Sequence, residues 1–383
     1  TIWGHFDEPF TLYPGDPGSL ELVRGLYDEL LPHFSSRQFN VGCDETVDLG
    51  QGRSADAVQE RGAGQVYFEF LKKIYAEVKA RGRTMQFWGD IIVNHPELVA
   101  ELPRDVVALE WGYEADHPFD ERGALYARSG IPFYVCPGTS SWNTLGGRTQ
   151  NAFGNLLNAA GNGLKHGAAG YLNTDWGDNG HWQMLPVSYL GFAYGAALSW
   201  ALEANEDIDL KGAASWLVFG DVSKQMGSIA YDLGNVYLDA GGQSFNGALF
   251  FYLLQISPQE LYQVQAQLLS GSLTIEGLRR AEKQIDIILA RLSQVEAGDH
   301  ELIKREFLWT AQMMGHGCRR GMWMLRLEAG QEQGGEREAL AQEAEHLIRE
   351  YGALWQARNR PGGFADSVAL MEKMRADYSS ESA

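Results

Sequence analysis

Through the first half of the chain, short apolar runs that break into Gly, Asp, Asn or Pro alternate with longer segments of mixed polarity. The runs are Phe39 to Glu45, Met85 to Asp90, Val106 to Tyr113, Phe133 to Pro137 and Gly170 to Asp178. Each is β-prone and bounded by turn formers, the pattern of a strand. Helix-like segments lie between most of them: Gln65 to Arg81, Pro96 to Leu102, Phe119 to Ser129 and Gly147 to Lys165. This alternation predicts βα units and a parallel sheet. Near Glu203 the pattern changes. Leu278, Ala281, Ile285, Ile288 and Leu292 recur at steps of three and four, one face of a helix. His300 to Leu327 and Glu336 to Ala357 continue similarly across the Gly-rich break between them. The expected architecture is α/β: residues 1–202 as part of a (β/α)8 TIM-type barrel, followed by a mainly α-helical domain over 203–383. A closed barrel of this kind has eight strands, and five are legible here. The first strands are therefore expected from a preceding segment or from another chain.

The strand ends carry the chemistry. Asn40-Val41-Gly42-Cys43-Asp44-Glu45 ends in two adjacent carboxylates with small residues beside them. Neighbours within a strand point to opposite faces, but at its last turn both side chains can reach one pocket. Crowded acids repel one another and raise each other's pKa, a cost associated with function. The later strand ends bring Trp88, Trp111, Trp142 and Trp176. In a (β/α) barrel the working residues sit at the C-terminal ends of strands. Carboxylates and indoles together suit sugars: acids for the glycosidic bond, aromatic rings for the C–H face of a pyranose.

Composition narrows the reading. The chain has 383 residues, 45% of them hydrophobic, and a formal net charge of −19. That charge argues against nucleic acid and anionic membrane as partners. No apolar run reaches the roughly 18 residues of a membrane span. Three cysteines, Cys43, Cys136 and Cys318, are too few for a disulfide framework and fit buried thiols in a reducing compartment, so a cytoplasmic location is expected. His33, His95, His117 and His166 are scattered and have no metal-ligand spacing. Trp309, Trp323 and Trp355 read as core of the helical half.

The motif Asn40-Val41-Gly42-Cys43-Asp44-Glu45, followed by the ordered tryptophans, resembles glycoside hydrolase family 20, the β-N-acetylhexosaminidases, in the bacterial branch with a helical C-terminal domain. The resemblance covers Thr1 to about Trp200 and identifies the visible strands as about the fourth to the eighth of that family's barrel. It implies an exo-acting, retaining, substrate-assisted hydrolase, in which the substrate's own 2-acetamido oxygen attacks the anomeric carbon. Glu45 would be the general acid/base, and Asp44 would hold the acetamido N–H and the charge that develops on it. Trp88, Trp111 and Trp176 would clasp the acetamido methyl and floor the ring. Asp178 would bind the O4 and O6 hydroxyls, and His5 matches the strand-three histidine. The strand-seven Tyr-x-Asp of the family is missing at Tyr134-Val135-Cys136, and Trp142-Asn143 stand as its substitutes. The sugar-gripping arginine of strand one has no counterpart. No cofactor and no metal are implied. The implied partner is a carbohydrate with a terminal β-linked N-acetylhexosamine. A separate chain supplying the first strands, or a homodimer, is a further expected partner.

Some positions stay open in the sequence. Asp90 and Asp175 either contact sugar or serve as caps and turns. His181 lines the pocket mouth or is a loop residue. Arg53 pairs with a carboxylate or faces solvent. The arginines Arg358 and Arg360 follow a helix end as dipole partners or reach toward the acids. Two other functions fit the same residues: a two-carboxylate glycosidase with Asp90 or Asp178 as nucleophile, and a non-catalytic sugar-binding protein.

Overall fold

A computed structural model of the chain describes residues 10–261, 269–270, 273–296 and 298–379. It divides into two compact units. The first comprises residues through Gly112, His117–Pro137 and Asn158–Leu172. Its sheet has five strands, β1 Gln38–Asn40, β2 Thr84–Trp88, β3 Val107–Trp111, β4 Phe133–Cys136 and β5 Gly170–Tyr171, paired in sequential order and all parallel. The helices α1 Pro17–Leu30, α2 Ala55–Arg61, α3 Ala63–Ala80, α4 Pro96–Val99, α5 Phe119–Ser129 and α6 Thr149–His166 lie between or before them in sequence. The expected α/β organisation with a parallel sheet is therefore present.

Alternation along the strands sorts the side chains onto two faces. Met85, Phe87, Ala108, Phe133 and Val135 join Phe68, Leu71, Ile74 and Val78 of α3 and Phe119 and Tyr126 of α5 in one buried core. Trp88, Val107, Leu109 and Cys136 form a second cluster, with Trp111 and Tyr134 packed against it. β3 is buried at its first four positions, as expected of a parallel strand covered on both sides. On the second face the Tyr134 hydroxyl donates to Gln38 Oε1 at 3.2 Å, and Gln86 donates to the same oxygen. On a flat sheet β1 and β4 would stand about 14 Å apart, three spacings of about 4.8 Å. Side chains from these two strands touch, so the sheet is curled around its second face.

The helices of this unit start and stop where local chemistry dictates. Asp16 caps α1 by accepting the Gly18 N–H, with Pro17 in the first turn. Gly130 ends α5 with φ 73°, a conformation open to glycine.

The second unit comprises Tyr113–Asp116, Gly138–Leu157 and the residues from Asn173 onward. It is mostly helical, with longest helices Ile275–Ser293, Glu301–Glu328 and Glu336–Arg358. The five periodic residues Leu278, Ala281, Ile285, Ile288 and Leu292 are all buried. So are Trp309, Trp323 and Trp355. A short antiparallel pair joins β6 Gln243–Ser244 to β7 Leu269–Ser270.

Gly89, directly after β2, has a packing reason to be glycine. A Cβ there would sit 2.2 Å from the hydroxyl of Tyr126, whose ring is fully buried and stacked on Phe133. Gly89→Ala is therefore expected to destabilise the chain by about 1–3 kcal/mol, the usual cost of overpacking. Tyr126→Phe in the same chain should restore part of that loss, read as the coupling in a double-mutant cycle of denaturant unfolding. Additive effects would contradict this packing account.

Candidate active site

The acid pair sits on a turn that the backbone makes under strain. After β1 the ladder continues by one bond, the Val41 N–H to the Gln86 carbonyl at 2.9 Å. Then Gly42, Cys43 and Glu45 take φ values of 75°, 71° and 48°. Left-handed backbone at two non-glycine residues costs of order 1 kcal/mol each and needs surrounding structure to hold it. Asn40 Oδ1 accepts the Gly42 N–H at 2.9 Å, the Gly42 carbonyl accepts the Trp88 N–H at 3.0 Å, and the Cys43 carbonyl accepts the Tyr67 hydroxyl at 2.8 Å. Cys43 packs with the helix-side core, and Asp44 follows it on the turn. Asp44 is half-buried and Glu45 exposed.

Asp90 fastens this turn. It lies two residues beyond Trp88 and so shares its face. Its Oδ2 accepts the Glu45 backbone N–H at 3.0 Å, and its Oδ1 accepts the Trp111 indole N–H at 3.2 Å. One carboxylate thus joins the ends of β1, β2 and β3. Burial raises the pKa of Asp90, the two hydrogen bonds oppose the rise, and the charge of Asp44 adds to it. Burial also raises Asp44. The Cys43 thiol is pushed up to about 12 by burial and then by the charges of Asp44 and Asp90, so it stays neutral. The β1 end is a site of concentrated negative potential. The sequence left Asp90 open between sugar contact and turn duty, and the structure gives it a positioning role.

The residues after β4 and β5 assemble within the second unit. The Trp176 indole donates to the Tyr113 hydroxyl at 2.9 Å, and the Tyr113 ring meets the Trp142 ring edge-on at 4.9 Å. Trp142 is fully buried and donates to Asn246 Oδ1 at 3.2 Å. Asn143 is buried, donates to Asp178 Oδ2 at 3.4 Å and accepts from Asn179 at 3.0 Å. Loss of water raises the pKa of Asp178, with the Asn143 amide pulling the other way. Trp176 keeps 37% of its surface exposed, and its carbonyl accepts the Gln183 amide at 2.5 Å. Asp175 is occupied by the hydroxyls of Thr139, Ser141 and Ser188 at 2.5–3.0 Å, which makes it a structural residue.

His5 lies outside the described residues. Arg53 pairs with Asp16 at 3.0 Å over the Tyr13 ring. Arg358 makes a two-pronged pair with the buried Glu306 at 2.5 and 2.7 Å. The His181 carbonyl accepts the Tyr351 hydroxyl at 3.2 Å, a loop contact. His117 pairs with the fully buried Glu110 at 2.9 Å, and His166 with Asp120. No group of three or more potential metal ligands occurs among the described residues. No helix among them is long and apolar enough to cross a membrane. Sequence reasoning passed over Tyr113 and Asn246. Tyr113 sits two residues past Trp111 at a strand end, a position that merited attention. Nothing local marked Asn246, whose partners are about a hundred residues away in sequence.

Comparison with known proteins finds likeness over the segment that contains the acid turn. The profile for glycosyl hydrolase family 20, catalytic domain, matches residues 3–142, which contain Asp44, Glu45, Trp88, Asp90 and Trp111. Hexosaminidase D of Homo sapiens is 26% identical over 242 residues, 55% of this chain and 49% of that protein. Hexosaminidase D of Bos taurus is 28% identical over 135 residues, 32% of this chain and 39% of that protein. The chain thus spans about half or less of the length of the curated relatives it matches. Among solved structures, a Flavobacterium johnsoniae chitobiase superposes with a TM-score of 0.37 at 10% identity, covering 95% of this chain and 60% of that one. A Thermobaculum terrenum O-GlcNAc hydrolase superposes with a TM-score of 0.43 at 12% identity, covering 96% and 77%. Superpositions this loose carry no weight, and the assignment rests on the sequence match together with the carboxylates at the β1 end. On that basis residues 3–142 are similar to the catalytic domain of glycosyl hydrolase family 20.

Proposed function

We propose that the chain provides the catalytic centre of a retaining exo-β-N-acetylhexosaminidase, acting on terminal N-acetylglucosamine or N-acetylgalactosamine by substrate-assisted catalysis. The observation that carries this is the Asp44–Glu45 pair on a strained turn that Asp90 fastens to Trp111. Glu45, exposed at the turn, protonates the leaving oxygen and then activates water. Asp44, half-buried and without room for solvent on all sides, orients the acetamido group. Its negative charge stabilises the oxazolinium ion as it forms. Trp88, Trp111 and Trp176 supply apolar contact to the acetamido methyl and the ring, Asp178 takes sugar hydroxyls, and Asn143 holds Asp178. Trp142 acts from beneath, as support for Tyr113 and Asn246. His5 keeps the role the resemblance gives it.

The same proposal includes the completed (β/α)8 barrel and a helical domain from residue 203 onward. β1 stands at one edge of the sheet, and Leu22, Leu26 and Leu30 of α1 are exposed beside one another at helical spacing. Further βα units would pack there, whether from the same polypeptide or another.

Two variants test the assignments. Glu45→Gln should lower kcat on alkyl or sugar leaving groups by about two to four orders of magnitude, with much less loss on an acidic phenol that needs little protonation. Equal loss on both would rule out the acid role. Asp44→Asn should cost far more in kcat than in KM on N-acetyl substrates. It should also not destabilise. A carboxyl with a folded pKa above its unfolded value loses stability as pH rises between the two. Asp44 is such a group, so the variant should melt at or above the wild-type temperature at pH 7. The difference should narrow as pH falls toward about 4. A lower melting temperature at pH 7, or an unchanged kcat, would contradict the assignment.

A further inference from the structure

We propose that the second unit holds a separate ligand site, a cavity of about 300 Å³ beside the loop after β5, which takes a neutral polyhydroxylated molecule of monosaccharide size. The volume is at the lower end of small-molecule pockets. None of its lining residues is among those assigned above to the reacting sugar, and the proposal does not depend on the hydrolase reading. The loop supplies His181, Gln183 and Met184 to the lining. Asn179, Gly180 and His181 stand in left-handed backbone, with φ 49°, 99° and 54°, a run that needs surrounding structure to hold it. The second unit provides that structure. The Ser367 hydroxyl donates to the Gly180 carbonyl, the Tyr351 hydroxyl to the His181 carbonyl at 3.2 Å, and the Trp182 indole to the Ser367 carbonyl at 3.1 Å. The end of the helix Glu336–Arg358 adds Leu354, Trp355 and Arg358, and the His181 ring meets Trp355 edge-on at 6.4 Å. The walls are therefore formed before any ligand arrives.

Gln183 marks the cavity as a place for a ligand. It is 4% exposed. Its amide N–H is used, donating to the Trp176 carbonyl at 2.5 Å. Its Oε1 is buried with no partner, a state that costs free energy until a donor reaches it. His181 beside it also leaves its buried Nδ1 unpartnered. The lining sets the class of ligand. Gln183 Oε1 calls for a donor, while Asn359 and Arg358 bring donors of their own. Hydroxyl groups answer both, because each donates and accepts. Glu306 and Arg358 are the permanently charged residues of the lining, and they pair with each other at 2.5 and 2.7 Å, with Glu306 only 1% exposed. Their charges cancel, so the cavity favours a neutral molecule over an ion. Met184, Leu354 and Trp355 give an apolar wall suited to the C–H groups of a sugar. Water alone would satisfy Oε1 but would gain nothing from that wall.

Ligand-observed NMR titration of glucose into the full chain tests the site, with Gln183→Leu and Ala357→Trp beside it. Glucose lacks the acetamido group that the hydrolase reading requires, so it reads this cavity independently of that reading. Saturable binding is expected with a Kd on the order of 1 mM, the scale of a ligand of this size. Gln183→Leu removes the unpartnered acceptor and should raise that Kd about tenfold. Ala357 lines the cavity from an exposed position. Ala357→Trp should fill the space and abolish binding while leaving Gln183 in place, which keeps the test decisive if Gln183→Leu fails to fold. Circular dichroism of each variant checks that the chain is folded. No saturable binding, which leaves the cavity to water alone, overturns the site. So does binding that survives Ala357→Trp, because the sugar then sits elsewhere. Glucosamine or glucuronate binding more tightly than glucose overturns the neutral class.

Discussion

The Asp90 carboxylate is the point on which the acid turn depends. Its two oxygens hold the Glu45 backbone and the Trp111 indole, so one side chain sets the spacing of three strand ends. Without it, Glu45 would lose the bond that holds its left-handed backbone. The interaction is itself costly. A buried carboxyl raised by desolvation and by Asp44 is less stable folded than in water. Its hydrogen bonds offset part of that cost and convert the rest into preorganisation, a common trade at working sites.

Strand parity does the larger sorting. The same alternation that sends Phe87, Ala108 and Val135 to the helices sends Trp88, Leu109 and Cys136 to the other face. Curling of the sheet gathers that second face, polar at Gln38, Gln86 and Tyr134 and aromatic nearer the strand ends. The acid pair is placed just past the end of β1 by one unit of the fold. The second unit orders Trp142, Asn143, Trp176 and Asp178 around Tyr113 by its own bonds. The family match covers the first group and stops at Trp142.

Much of this was legible before any coordinates. Five strands, the helix Phe119–Ser129 and the buried stripe of Ile275–Ser293 follow from periodicity and turn residues, because local pattern and final burial agree there. The Asp-Glu pair and the strand-end tryptophans were visible for the same reason. What escaped was the use of each polar group. Asp90 and Asp175 look alike in sequence, each within two residues of a tryptophan, yet one holds a backbone N–H and an indole and the other three hydroxyls. Trp142 reads like its neighbours but is buried because Asn246, a hundred residues on, takes its indole N–H. Long-range hydrogen bonds have no periodicity to read.

The most direct test is the turnover number of Asp90→Ala on a β-N-acetylglucosaminide, measured beside its denaturant unfolding curve. Asp90 touches no reacting atom in this account, so any effect must pass through the turn it fastens. The account expects kcat to fall about ten- to a hundredfold, the scale of a misplaced catalytic group, in a chain that still unfolds cooperatively with little loss of stability. A kcat at the wild-type value in a folded Asp90→Ala chain would contradict it.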